Sequence, residues 1–144
     1  MRVLIDEDTP VQVVEPLRYM LRGHQIDHVS ELGWKGKKDR FLLRDAKRAG
    51  YEVIVTRDHN QLSDPAECKA IKRTGLHHVL YFQRRQGTAG LALATGALIA
   101  AMPLVMDELE RADGQRLVRI AGLDPSRRYV AVDPKKNPPV YWPH

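Results

Sequence analysis

The sequence predicts an α/β fold: a single domain with a central, largely parallel sheet of about five strands flanked by helices. Two observations carry this. Short apolar runs alternate with longer helical patterns four times along the chain, the signature of strand–helix–strand crossovers. The chain of 144 residues, 43% hydrophobic and 28% charged, has the size and balance of one globular domain and excludes collagenous or wholly disordered chains.

Taken in order, Met1 to Ile5 reads as a short buried strand ending in Asp6-Glu7-Asp8. Thr9 and Pro10 suit a helix start, Pro16 delays or kinks that helix, and Gly23 ends it. Gln25 to Val29 is the second strand, and a loop from Gly33 to Lys38 leads to a helix over Asp39 to Ala49. There Phe41, Leu42, Ala46 and Ala49 form one apolar stripe, and Gly50 is the stop. Glu52 to Thr56 is the third strand. Asp64-Pro65-Ala66-Glu67 carries the cap, first-turn proline and third-position acid of the next helix start. His78 to Phe82 is the fourth strand, Gly90 to Arg111 the longest helix, and Leu117 to Ile120 with Tyr129 to Val132 a final strand or hairpin. Residues 1–120 are the expected domain. Residues 121–144 hold the last strand and a proline-rich extended tail with no core-forming pattern.

From Gln86 to Met106 no residue is charged, a run of 21. Its glycines, threonines and Pro103, with alanine predominant, make it a buried central helix rather than a membrane span. Its small uncharged surface also predicts a homodimer. Early acids leave no room for a signal peptide, and a single cysteine, Cys68, forms no disulfide within the chain, so a reducing cytoplasm is the expected location.

Ligands of open parallel sheets sit outside the carboxyl ends of the strands. Asp6, Glu7 and Asp8 follow the first strand, Asp58 follows the third, and Asp39 opens the helix after the second. Gathered carboxylates repel, and magnesium or manganese relieves that repulsion while accepting oxygen ligands. Taken singly, Asp39 is a helix cap and Asp58 a turn former; the shared edge makes the metal site. From Trp34 to Arg48 seven basic residues face two acids. Lys35, Lys37, Lys38 and Arg40 flank Asp39 where a phosphate backbone would lie, Trp34 is positioned to stack on an unpaired base, and Arg57 precedes Asp58. His24 and His28 straddle a predicted strand, so helical metal spacing does not apply, His77-His78 opens another with side chains on opposite faces, and Cys68 has no base beside it.

The ordered set LIDEDTP, GHQIDHVSELGWKGKKDRFLLRDAKRAG and YEVIVTRDHNQL resembles the PIN-like family related to the Mut7-C domain, within the PIN nuclease superfamily. The resemblance implies a metal-dependent ribonuclease, often the toxin of a toxin–antitoxin pair like the VapC toxins, with RNA as substrate and an antitoxin as partner. It aligns Asp6, Asp39 and Asp58 with the family's catalytic, metal-binding acids and Thr56 with the threonine that props the last turn. Asn60 stands where the family has a second Asp, and Asp8 where it usually has Asn, so both become auxiliary ligands. A catalytically weak RNA- or protein-binding module is the alternative that Asn60 favours. A phospho-receiver shares the acid placement, but Lys135 and Lys136 lie in the tail rather than at a strand end.

Overall fold

Val3 and Ile5 face one side of the sheet and Leu4 the other, as do Val53 and Val55 against Ile54. Strand side chains alternate between faces, so runs of consecutive apolar residues need cover on both. The computed structural model describes residues 1–144 and supplies that cover as two helical layers. Strands β1 (Arg2–Ile5), β2 (Gln25–His28), β3 (Val53–Thr56), β4 (His77–Leu80), β5 (Leu117–Ile120) and β6 (Tyr129–Val132) form one sheet in the order β2-β1-β3-β4-β5-β6. All neighbours pair in parallel except β5 and β6, which are antiparallel, with Leu117 opposite Val132.

Helices α1 (Val14–Met20) and α4 (Gly87–Arg111) cover one face, with Leu17, Leu98, Met102 and Val105 buried there. Helices α2 (Asp39–Arg48) and α3 (Pro65–Thr74) cover the other, through Leu42, Leu43, Cys68 and Ile71. By length and composition α4 would pass as a membrane span, yet its Ala94, Ala97, Leu98, Ala101, Met102 and Val105 are buried against the sheet. Leu93 and Leu104 are its large exposed apolar side chains.

The structure differs from the sequence reading in three places. Thr9 caps nothing: residues Val11–Val13 form a 3-10 turn and α1 begins at Val14 without a side-chain cap. Thr9 is buried instead, accepting a hydrogen bond from the Tyr81 hydroxyl at 2.7 Å. The sheet has six strands because the final segments pair as a hairpin. The tail, expected to lie clear of the core, returns to it: Trp142 is buried in the α2–α3 layer, and Lys72 Nζ donates to the Pro143 carbonyl at 2.7 Å.

Gly96 lies inside α4 with helical φ and open space where a Cβ would stand. Glycine costs a helix interior about 1 kcal/mol relative to alanine. Gly96→Ala is therefore expected to raise the thermal midpoint by a few degrees. A lowered midpoint in a calorimetric scan would show that the residue answers to something other than local space.

Candidate active site

β1 and β3 lie side by side, with β2 beyond β1 and β4 beyond β3. The crossovers therefore leave in opposite directions, and a crevice opens beyond the carboxyl ends of these two strands. Asp6 leaves β1 at that point and is 6% exposed. Its Oδ1 accepts from the Glu7 N–H at 2.8 Å and its Oδ2 from the Thr56 hydroxyl at 3.0 Å. Thr56 Oγ1 also accepts from the Asp58 N–H at 3.0 Å. One buried hydroxyl thus ties the ends of β1 and β3 together. Asp8 Oδ1 accepts from the Arg57 N–H at 3.3 Å, and Asp58 caps the 3-10 turn His59–Ser63 by accepting from the Asn60 N–H at 3.0 Å. Asp39 is the first residue of α2, behind an N-cap at Lys38, so it is not the cap itself.

These carboxyls sense one another. Asp6 is pushed up to about 6, first by burial and then by the Asp8 charge, against the Glu7 N–H and the Thr56 hydroxyl. Burial also raises Asp8, with Arg57 opposing. Asp39 is raised by burial and by Asp58, while Gln61 and Glu67 hold it down. Perturbed acids in a strand-end crevice make this edge the candidate site of the fold.

Glu67 belongs to this group, although its sequence context, Asp64-Pro65-Ala66-Glu67, marks it only as a helix-start acid. It is pushed up to about 7 by burial, then by Asp39 and Asp58. With Asp39 it lines one hollow, and its Oε2 is buried without a hydrogen-bond partner. Gln61, 1% exposed, accepts from His78 Nε2 at 2.9 Å, while its own Nε2 lacks a partner of good geometry. His78 is fully buried and burial lowers its pKa to about 4, so a neutral ring holds Gln61. The signal available in sequence was topological: α2 and α3 both follow strands in a parallel sheet, so their first turns share an edge.

The other candidates are placed unevenly. Asn60 is exposed, and its side-chain amide bonds none of the acids. Lys38 and Arg40 are exposed and line the Asp39 hollow, Lys35 is exposed but does not line it, and Lys37 is paired with Asp45 at 2.8 Å. Trp34 is half-buried, edge-on to Tyr51 at 6.4 Å with Lys37 Nζ over its ring, so one side of the indole is already occupied. Arg57 is held by Gln83 through Nη1. His28 is structural: it caps the 3-10 turn Val29–Leu32 and meets the Thr9 carbonyl at 2.7 Å.

The donor set of Asp6, Asp8, Asp39, Asp58 and Glu67 is all oxygen, the chemistry a hard divalent cation takes. No three of the acids, histidines or cysteine converge closely enough to hold an ion, so binding one requires side-chain rotation. A largely parallel α/β sheet with acids at its switch point is the class of fold and site that the structure defines. A family model described as PIN like domain matches residues 1–83, more than half of the chain, and the chain belongs to the PIN-like domain family. Members of that family are typically nucleases that use divalent metals. No curated protein and no solved structure matches the chain.

Proposed function

We propose that the protein is a magnesium- or manganese-dependent endoribonuclease that hydrolyses phosphodiester bonds of single-stranded RNA. The observation that carries this reading is the gathering of carboxyls at the β1–β3 crevice, where Thr56 ties Asp6 to the Asp58 turn, Asp8 accepts from the Arg57 N–H, and Asp39 and Glu67 line one hollow. Asp6, Asp39 and Asp58 would hold the ion, with Asp8 and Asn60 as auxiliary ligands and Glu67 within the same group. Bound there, the ion supplies a Lewis acid for the phosphodiester and lowers the pKa of an attacking water. Thr56 fixes the Asp6 carboxylate through its hydroxyl and the Asp58 turn through its oxygen. Lys35, Lys38 and Arg40 attract the phosphate backbone toward Asp39.

The toxin role, an antitoxin partner and a cytoplasmic setting rest on the family resemblance and the lone cysteine. A homodimer would use the exposed Leu93 and Leu104 of α4. A second reading, a catalytically weak binding module, is favoured by exposed Asn60 and by acids that do not converge on a common point. Incubation with labelled single-stranded RNA separates the two. Manganese-dependent cleavage is expected in the wild type and is expected to fall at least about a hundredfold in Asp58→Asn, more than losing a metal's outer-shell partner costs. Cleavage that survives both Asp58→Asn and a chelator would assign the activity elsewhere.

A further inference from the structure

A groove of about 730 Å³ runs between α2 and α3 on the outer surface of that helical layer. Arg40, Arg44, Lys47 and Arg48 line it from α2, and Lys69 and Arg73 from α3; no acidic residue does. Arg44 is paired with Asp45 at 3.1 Å, but the other five cations make no ion pair. Like charges held across a groove repel, so an array of this density without acidic partners favours a polyanion, which displaces the small counterions that otherwise screen it. The α3 half could not be read from local sequence, because Lys69 and Arg73 join the basic α2 stretch only when the helices pack together.

The groove is also aimed. Arg40 and Ala66 line both it and the adjoining hollow that contains Asp39 and Glu67. A chain lying along the cations therefore arrives at the acid cluster without crossing another surface. Phe41 stands within the groove, 38% exposed, with the Arg40 and Arg44 guanidinium groups 4.8 and 5.1 Å from its ring. A cationic track interrupted by an aromatic and planar guanidinium groups is the physical recipe for a single strand: phosphates follow the charge while unpaired bases stack. A peptide of acidic residues alone offers nothing to stack, and a duplex hides its base faces.

We propose that the α2–α3 groove binds single-stranded nucleic acid through Lys47, Arg48, Lys69 and Arg73 and guides it to Asp39. This rests on the nuclease reading for its direction, but the binding is testable by itself. The experiment is fluorescence anisotropy of the full chain with a labelled oligouridylate, in chelator, over a range of salt. Lys69→Gln with Arg73→Gln is expected to weaken binding and to make the log–log salt slope shallower by about 1.4, at about 0.7 per lost phosphate contact. Phe41→Leu is expected to weaken binding with the slope unchanged. Both substituted cations are exposed, and a thermal melt verifies that the fold is retained. Unchanged affinity and slope in the double variant would overturn the proposal, as would blunt duplex RNA or polyglutamate binding as tightly as the oligouridylate. Because no metal is present in this assay, its outcome is independent of the Asp58→Asn cleavage test: a groove that fails leaves the acid site standing, and the converse holds.

Discussion

Asp6→Asn is expected to give a protein that is more stable than the wild type at neutral pH and without metal-dependent cleavage. The folded chain holds the Asp6 proton up to about pH 6, while an unperturbed aspartate releases it near 3.8. Stability from this group is thus fully present below about pH 3.8 and is lost as the pH rises to about 6, staying lost above. A shift of that size corresponds to about 3 kcal/mol at neutral pH. Asparagine keeps the shape and carries no charge, so it escapes this penalty, although only one of its two terminal atoms accepts hydrogen bonds from Glu7 and Thr56. The net gain expected is about 1–3 kcal/mol. Denaturant unfolding of both proteins at pH 4 and pH 7 checks it: the difference should be small in acid and largest at neutrality. A variant less stable than the wild type at pH 7 would mean that the accepted hydrogen bond it loses outweighs the buried charge. Adding manganese should stabilise the wild type at pH 7 and leave the variant nearly unmoved, because a ligand stabilises only the state that binds it.

The candidate site was legible where its logic is local. The acids after β1 and β3 announce themselves because buried strands end abruptly and a parallel sheet gathers those ends on one edge. Thr56 was found through the family resemblance, and its two hydrogen bonds give it a physical role. Glu67 was hidden by a sufficient local explanation: a third-position acid behind Asp64 and Pro65 already makes sense as a helix start. Asp64 does cap α3, accepting from Ala66 at 2.8 Å, and nothing local says that Glu67 also reaches toward Asp39. Thr9 failed for the opposite reason. Its apparent capping role dissolves because it is held by Tyr81, which lies beyond β4. Trp142 likewise looks like part of a free tail until β6 brings the chain back to the α2–α3 layer. Contacts between distant parts of the chain leave no periodicity to read.

Gly90→Ala should destabilise the protein sharply, in contrast to Gly96→Ala six residues along the same helix. Gly90 has no positive φ, so its backbone conformation does not require glycine. Space does. A Cβ at this position would overlap the carbonyl of Arg85, a backbone atom that cannot rotate away as a side chain can. The chain must move, and overpacking of this kind costs about 1–3 kcal/mol and sometimes more. What it must move matters for the site. The same Arg85 carbonyl accepts from Gln83 Nε2 at 3.0 Å, Gln83 in turn accepts from Arg57, and the Arg57 N–H holds Asp8. A displaced Arg85 therefore loosens the residue between Thr56 and Asp58. The expected result is a lower unfolding midpoint together with a fall in any cleavage activity larger than the unfolded fraction explains. Gly90→Ser should behave similarly, since its Cβ meets the same carbonyl. If Gly90→Ala unfolds at the wild-type midpoint, the loop from Phe82 to Gln86 is free to shift, and it cannot be what holds Arg57 beside the acids.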